Sequence, residues 1–262
     1  MNKSKPPHKP RYIKAVNETS PKHRVIAEQL LCEIEEGRWR SGERIPSEER
    51  IAEETGASLG TVQRALRNLA EMGVVQRHHG RGTFVAGART PQRHLRHFRF
   101  VAEDGVSLLP IYVNVQDITL VEGTGPWSAS LGACTDGYVR LQRLVSIARE
   151  FSLFSEMYLR ADRFGEIVTM KRDDFDGASI RDLLAEQFNA PTFSVEQFML
   201  CQPLPPRVVH QMGVPLGTFG VIWTITGLSY RNAPITWQRV FMPPNDRPLN
   251  MLPPAPETLN YG

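Results

Sequence analysis

The chain has 262 residues, of which 41% are hydrophobic and 23% charged, a composition typical of a water-soluble globular protein. No apolar run is long enough to span a membrane, and the basic amino terminus is not followed by the apolar segment of a secretory signal. The cysteines Cys32, Cys134 and Cys201 have neither metal-site spacing nor a disulfide framework, which indicates a reducing cytoplasm. The length favours two domains.

The net charge of +3 is unevenly distributed along the chain. Residues 1–89 contain 16 Lys and Arg against 11 Asp and Glu, whereas the remainder contains 15 against 17. A basic region is the electrostatic footprint of a polyanionic partner, although a solubilising tail would look the same. Residues 1–19 are rich in Pro and Lys and are predicted to be a disordered basic arm.

Three helices are predicted in the region that follows. The first begins at Ser20-Pro21, a cap followed by a proline suited to the first helical position, covers residues 25–36 and stops at Gly37. The second covers residues 47–55, and Ser58 caps the third. The third helix has an apolar stripe at i, i+3, i+4 and i+7 spacing, which leaves its polar and basic residues on other faces. The stripe consists of Val62, Ala65, Leu66 and Leu69.

Two strands joined by a basic glycine turn are predicted in VVQRHHGRGTFVAG. Two helices linked by a short turn, with an exposed polar second helix, form the arrangement that enters a DNA major groove. The cationic turn at Arg81 could reach the minor groove or the DNA backbone. The pair His78-His79 lacks the spaced partners that a metal site needs. Residues 20–86 are therefore predicted to be a winged helix-turn-helix domain.

A second domain is predicted over residues 94–252, after a linker at 87–93 and before a tail at 253–262. Short strand patterns dominate it, with helices predicted at 127–131, 179–189 and 206–212. Strands joined mainly by turns indicate an antiparallel α+β domain. The strand segments are HFRFVAE, LLPIYVNVQDITLVE, GYVRLQRLVSIAR, FSLFSEMYLR, TFSVEQFMLCQPL, GTFGVIWTITGLSY and PITWQRVFMP.

The sequence resembles a known family of bacterial transcription regulators. The blocks IPSEERIAEE, TGASLGTVQRALRNLAEMGVV and HGRGTFV match the winged-helix signature of the GntR family in order and spacing. The second domain resembles, more loosely, the UTRA effector domain of the HutC subfamily, through VRLQRLV, FSEMYL, IRDLLAEQF and VVHQMGVPLGTFGVIWTITGLSYRNAPI. The resemblance implies an α+β protein whose second domain has a chorismate-lyase-like antiparallel fold.

Several DNA-contacting positions of the family are altered in this chain. Glu49 stands where an Arg is usual, Leu59 and Gly60 replace an Arg and a Thr, and Gln63 replaces another Arg. Glutamine can bind adenine and arginine can bind guanine, so the resemblance implies a DNA reader with its own operator. Alternatively, the helix arginines form a solvated face. The predicted DNA-binding residues are Ser47, Arg50, Ser58, Thr61, Gln63, Arg64, Arg67, His79, Arg81, Gly82 and Thr83.

The family's effector pocket, as the resemblance implies it, has an Arg pair on one strand and a Glu on the next. Arg143 and Glu156 fall on these positions, followed by Tyr158, while Val145 stands at the second Arg position and Trp237 lies in the closing strand. Guanidinium groups match anionic ligands, so the loss of one predicts a less charged, carboxylated or aromatic effector. The alternative is a strand-to-strand ion pair between Arg143 and Glu156.

The predicted function is therefore that of a ligand-responsive DNA-binding regulator, a repressor in most of this family. Two recognition helices must meet half-sites about 34 Å apart, which predicts a homodimer acting on double-stranded operator DNA. No catalytic residue, cofactor or metal is predicted, and no membrane partner. The alternative is an enzyme of chorismate-lyase-like fold tethered to a DNA-binding module. An all-helical metal-binding effector domain and a structural nucleoid protein are further alternatives, which the β-rich pattern and the near-neutral second domain disfavour.

Overall fold

The computed structural model describes residues 21–78, 80–86, 98–175 and 179–251. The predicted basic arm, the linker at 87–93, the tail at 253–262 and His79 lie outside the described residues. The described part consists of a helical amino-terminal domain with a small ribbon and a carboxy-terminal domain with a large antiparallel sheet. Among these residues no helix has the length and apolarity needed to cross a bilayer.

The amino-terminal domain is built from three helices, α1 (Lys22–Glu35), α2 (Glu48–Thr55) and α3 (Leu59–Glu71). The predicted stripe of α3 is buried completely or almost so, and it packs against the buried face of α1. Gly56 ends α2 with a positive φ of 61°, a conformation that glycine adopts without the steric penalty of a Cβ. The chain can therefore turn sharply into α3.

The ribbon pairs β1 (Val75–His78) with β2 (Gly82–Val85) in antiparallel register. The segment before α2 runs along the other edge of β2, because the amide of Ile45 donates to the carbonyl of Thr83 over 3.0 Å. Gly82 is required in this turn: its φ is 106°, and a Cβ there would lie 2.6 Å from Nε of Arg44. The ribbon is thus anchored, along the outer edge of β2, to the segment that leads into α2.

The large sheet of the described residues has six strands in the order β3-β4-β5-β8-β7-β6, with antiparallel pairing. The central pairs β4–β5 and β5–β8 carry the candidate effector residues. Strands β3 and β6 form the two edges. The strands are β3 (Ile111–Val121), β4 (Tyr138–Ile147), β5 (Phe151–Arg160), β6 (Ser194–Pro203), β7 (Phe219–Leu228) and β8 (Pro234–Met242).

The sheet has apolar clusters on both faces. On one, here called the α6 face, Leu141 and Leu159 pack with α5 (Ala161–Phe164) and with Leu184 of α6 (Ile180–Gln187). The opposite face, here called the α7 face, is covered at one end by α7 (Pro206–Met212) and at the other by α4 (Ser128–Leu131). Side chains of successive strand residues point to opposite faces, so strand parity decides which site a residue joins.

Most of the predicted helices and strands are present, with the following differences. Pro21 was predicted at the first helical position but is the N-cap residue of α1, which begins at Lys22. The segment HFRFVAE was predicted as a strand, and that prediction is wrong: Phe100 and Val101 make only isolated bridges, to Leu249 and Leu108. Their side chains are nevertheless buried, so the apolar pattern reflected core packing without a continuous ladder. Helix α5 and the 3₁₀ turn that follows at Gly165–Thr169 were not predicted.

Candidate functional sites

The amino terminus of α3 is an ordered, exposed helix start. The Ser58 hydroxyl accepts a hydrogen bond from the Thr61 amide at 3.3 Å and lies 2.8 Å from the Thr61 hydroxyl. Arg64 and Arg67 are exposed one and two turns further on, on the side away from the buried stripe. The local capping and the apolar stripe together fix which side of α3 faces outward.

Gln63 belongs to a network that the sequence did not predict. Its Nε2 donates to Oε2 of Glu48 over 2.9 Å, and the other oxygen of Glu48 pairs with Arg77 of β1. Glu48 therefore links α2, α3 and the ribbon, and its carboxylate orients the Gln63 side chain.

The start of α2 borders a shallow depression of about 400 Å³ beside the ribbon. The Ser47 hydroxyl accepts from the Arg50 amide at 3.3 Å and so caps the helix. The Arg50 guanidinium is largely exposed and pairs with Glu54 one turn away at 3.0 Å. The depression is lined by Trp39, Arg44, Ile45, Pro46, Ser47 and Arg50. Two arginines make this surface cationic.

At the ribbon turn, the predicted residues divide into exposed and structural ones. Arg81 is exposed, and its amide donates to the His78 carbonyl at 3.0 Å. Thr83 is only 7% exposed, and Gly82 is packed against Arg44. The geometry supports a role for Thr83 and Gly82 in shaping the turn, and leaves Arg81 as the side chain available to a partner. His79 lies outside the described residues.

The four predicted effector residues do not form one cluster. The register of β4 with β5 places Arg143 opposite Ser155 and Gln142 opposite Glu156. Arg143 therefore points to the α6 face, while Glu156 points to the α7 face. The alternative of a cross-strand ion pair between them is wrong for the same reason. Glu156 is one residue away from the position opposite Arg143, and this offset places it on the other face of the sheet. No local sequence pattern determined the offset.

Glu156 is the centre of a polar group on the α7 face. It is 3% exposed and accepts from both guanidinium nitrogens of Arg207, at 2.5 and 2.9 Å, and from Gln142 Nε2 at 3.0 Å. The hydrogen bonds to Glu156 raise the pKa of Arg207 above its ordinary value. This carboxylate already has its counterion.

Tyr158 and Trp237 lie on the same face but in an aromatic cluster. The ring of Trp127 stacks on Tyr158 with centroids 3.8 Å apart, and Trp237 packs edge-on against both rings. Burial raises the pKa of Tyr158 above its ordinary value. These aromatic rings form one packed apolar cluster with Tyr138 and Leu131.

Arg143, on the α6 face, has no such neutralisation. It is 8% exposed; its Nη2 donates to the Ser155 hydroxyl at 3.0 Å, and Gln238 donates to the same hydroxyl at 2.8 Å. The Arg143 Nε is buried and finds no hydrogen-bond partner among the described residues. Burial lowers the pKa of Arg143 to about 10.

A second guanidinium approaches Arg143 from α6. Burial, followed by the charge of Arg143, lowers the pKa of Arg181 to about 10. Arg181 was not predicted, because only the packing of α6 on the sheet brings it to β4. Two arginines whose charged forms are disfavoured by burial define a cationic site of Arg143, Arg181, Ser155 and Gln238. Groups of His, Cys, Asp and Glu suited to a metal are absent from the described residues.

Comparison with known proteins agrees with this architecture. The helix-turn-helix and ribbon define a winged helix-turn-helix, a class of DNA-binding domain. Residues 22–85 match the family described as bacterial regulatory proteins, gntR family. The amino-terminal domain is therefore a GntR-family helix-turn-helix domain, which confirms the family prediction.

Relatives extend the match along the chain. The HTH-type transcriptional regulator SmoD of Agrobacterium fabrum is 30% identical over 139 residues, covering 53% of this chain and 58% of the relative. The histidine utilization repressor of Pseudomonas putida is 37% identical over 67 residues, covering 26% of this chain and 27% of the relative. The chain thus spans less than two thirds of the length of these relatives. The relatives are regulators and not enzymes.

A solved structure is similar to this chain over more than half of its length. It is the ligand-binding domain of a protein assigned to the GntR-family transcriptional regulators, from Bordetella bronchiseptica. It covers 59% of this chain and 96% of its own, with a TM-score of 0.50 and 12% sequence identity. The likeness shows the fold, and it confirms the predicted α+β architecture with an antiparallel second domain.

Proposed function

We propose that this protein is a transcriptional repressor that binds operator DNA through α3 and the ribbon and responds to a small molecule bound by the second domain. The observation that supports this most is the exposed Arg64 and Arg67 on a capped helix whose opposite side is buried. A cationic ribbon turn at Arg81 lies on the same domain. An exposed basic helix beside a cationic wing suits a major groove and its flanking phosphates.

Within this proposal the predicted DNA-binding residues have different tasks. Gln63 and Arg64 contact bases, with Gln63 oriented by Glu48. Ser47, Arg50, Ser58, Thr61, Arg67, His79 and Arg81 contact the sugar-phosphate backbone, which fixes position rather than sequence. Thr83 and Gly82 shape the ribbon turn.

Selection of bound sequences from a random DNA library, followed by fluorescence anisotropy on the enriched site, tests the proposal. Arg64→Ala is expected to weaken binding by about 1–3 kcal/mol and to relax selectivity at one base position. Gln63→Ala should relax selectivity at a different base position. Arg172→Ala, which removes an exposed arginine of the second domain, is the charge-matched control. Unchanged affinity and selectivity in both helix variants would contradict the proposed base contacts of Gln63 and Arg64.

A homodimer is part of this proposal, because one recognition helix covers only one half-site. The edge strand β6 is a suitable interface: Phe198 is 69% exposed, and Met199 and Leu200 beside it are also exposed. Phe198→Asp is expected to convert a dimer to a monomer in light scattering after gel filtration. Val106→Asp, at another exposed apolar residue, should leave the dimer intact. A dimer that survives Phe198→Asp excludes this interface.

The proposed effector is an anion bound at the cationic site of Arg143, Arg181, Ser155 and Gln238. The sequence-based expectation of a less charged ligand counted one arginine, and Arg181 supplies a second. An unneutralised buried guanidinium is costly, and a carboxylate or phosphate would pair with it bidentately. Glu156 already pairs with Arg207, and Tyr158 and Trp237 pack in the aromatic cluster, so these three residues support the fold of the site.

Thermal-shift screening with carboxylates and with phosphate esters, at matched ionic strength, tests the effector class. We expect stabilisation by members of one anion class, and release of the selected DNA site by the same compounds. Arg143→Met should abolish both effects, whereas Arg247→Met, at a surface ion pair, should preserve them. Stabilisation confined to uncharged compounds would refute an anionic effector.

A further inference from the structure

The two domains contact each other through α1 and two segments of the second domain. The side-chain amide of Asn189, just after α6, donates to the carbonyls of Ile34 at 2.9 Å and Glu35 at 3.1 Å. These carbonyls belong to the last turn of α1, where intrahelical partners run out. The second domain therefore caps a helix of the DNA-binding domain.

The turn between β7 and β8 makes the second contact with α1. The Arg231 guanidinium pairs with Glu28 and Glu35, which lie about two turns apart on α1, with Nε 2.9 Å from an oxygen of Glu35. Tyr230 is 6% exposed and belongs to the apolar core of the DNA-binding domain, although it comes from the other domain. Phe193 packs edge-on against Tyr230, with ring centroids 5.1 Å apart.

Both segments adopt a backbone conformation that is unusual for their residues. The φ angles are 46° at Asn189, 56° at Arg231 and 55° at Asn232. Non-glycine residues occupy this left-handed region at a cost that the surrounding contacts must offset. Here the conformation directs Asn189 and Arg231 at the same helix, α1.

Helix α6 connects this contact to the cationic site. Arg181 lies in its first turn, where Ile180 packs in the same apolar cluster as Leu141, two residues from Arg143 on the same face of β4. Asn189 follows its last turn, where the amide of Ala190 donates to the carbonyl of Leu184 at 2.9 Å. Leu184 is fully buried against the sheet. Eight helical residues span about 12 Å, so a short rigid element separates the two ends.

We propose that Asn189, Tyr230 and Arg231 form a latch on α1, and that α6 transmits occupancy of the cationic site to it. The transmission of a signal from the cationic site to α1 rests on the proposed function, because it requires an effector bound at that site. The docking of the two domains on each other does not require it. A ligand that draws Arg181 towards itself shifts α6 and with it the amide that caps α1. The effector can alter DNA affinity through the latch only if it binds the latched and the unlatched states with different affinities. None of the three latch residues belongs to the predicted DNA-contacting set, so the latch controls orientation without forming part of the reading surface.

Differential scanning calorimetry of the full chain tests the docking. The double variant Asn189→Ala with Arg231→Ala is compared with Arg247→Ala, because Arg247 also pairs with two glutamates, Glu103 and Glu150, but within one domain. We expect one cooperative transition in the wild type and in Arg247→Ala, and two separate transitions in the double variant. A single transition in the double variant would overturn the latch.

Hydrogen–deuterium exchange with citrate and with inorganic phosphate as probes, against chloride at equal ionic strength, tests the transmission. We expect each anion that protects residues 140–146 and 180–187 to change exchange in residues 32–38 of the wild type by at least about threefold. The double variant should show the first protection without the second change, and Arg247→Ala should show both. Protection of the cationic site without a change in α1 of the wild type overturns the transmission alone. No protection by either anion contradicts both the anionic effector and the transmission, while the calorimetry still decides the docking.

Discussion

Two arginines on opposite faces of one sheet have opposite electrostatic environments. Arg207, on the α7 face, meets the buried carboxylate of Glu156 through two hydrogen bonds, and its pKa is raised. Arg143, on the α6 face, meets a neutral hydroxyl, and burial lowers its pKa to about 10. The pairing of Arg207 with Glu156 stabilises the fold, whereas the buried charge of Arg143 destabilises it.

One domain therefore contains an arginine with a carboxylate partner on the α7 face and a buried arginine without one on the α6 face. A buried charge that lacks a partner is disfavoured during folding, and proteins retain such groups chiefly at sites that act on something else. On the α6 face Arg143 hydrogen-bonds to the neutral Ser155 hydroxyl and is under the influence of a second cation, Arg181, so this is the side on which a counterion for Arg143 is missing. The α7 face already contains one.

The largest expected effect comes from removing the partner of Glu156. Arg207→Met should lower the free energy of unfolding by about 1–3 kcal/mol at neutral pH, because a carboxylate that is almost fully buried retains only Gln142 as a donor. Urea denaturation measures this loss.

Two control variants test whether the loss of stability in Arg207→Met comes from leaving the buried Glu156 carboxylate without its partner. Adding Glu156→Gln to Arg207→Met should recover most of the loss, since a neutral amide needs no counterion. Arg247→Met, which breaks a pair whose carboxylate, Glu150, is exposed to solvent, should cost less than about 1 kcal/mol. Equal losses in Arg207→Met and Arg247→Met would mean that the buried pair has no special role.

On the α6 face, removal of an arginine is expected to change the free energy of unfolding in the opposite direction. Arg143→Met should raise the free energy of unfolding by about 1–2 kcal/mol in a buffer free of carboxylate and phosphate, because it replaces a buried, unneutralised charge with an apolar side chain of similar length. The pKa of Arg143 is depressed in the folded state, so its penalty is complete at neutral pH and is relieved as the pH rises above about 10. The stability gap between variant and wild type should therefore narrow above pH 10. A variant that is less stable than the wild type at pH 7 would contradict the assignment of Arg143 as an unneutralised charge.

The sequence predicted the DNA-binding domain in more detail than the effector site, for a physical reason. The helix caps at Ser47 and Ser58, the turn at Gly56 and the stripe of α3 are local signals, each decided within one helical turn. The register of β5 against β4 depends on the whole sheet, and an offset of one residue separates Ser155 from Glu156. The order of strands along the chain was predictable, but the face to which each side chain points was not.

Residues contributed by other elements were missed altogether. Arg181 reaches Arg143 only because α6 packs on that face, and Arg207 reaches Glu156 only because α7 packs on the other. Asn189 and Arg231 contact α1 across more than 150 residues of sequence. Such partners carry no local motif.

The smallest expected change in stability comes from placing a carboxylate on the α6 face. Ser155→Asp puts an anion where a hydroxyl now lies 3.0 Å from Nη2 of Arg143. Pairing favours the change and desolvation of a side chain at a fully buried position opposes it, so the free energy of unfolding should move by less than about 1 kcal/mol. The functional effect should be larger: the built-in carboxylate neutralises Arg143, and the response to added anions in thermal-shift assays should disappear. Ser155→Asn, which has the same shape without the charge, should retain that response. If both variants lose it equally, the hydroxyl itself and not the missing counterion determines what the site binds, and the two faces differ in shape more than in charge.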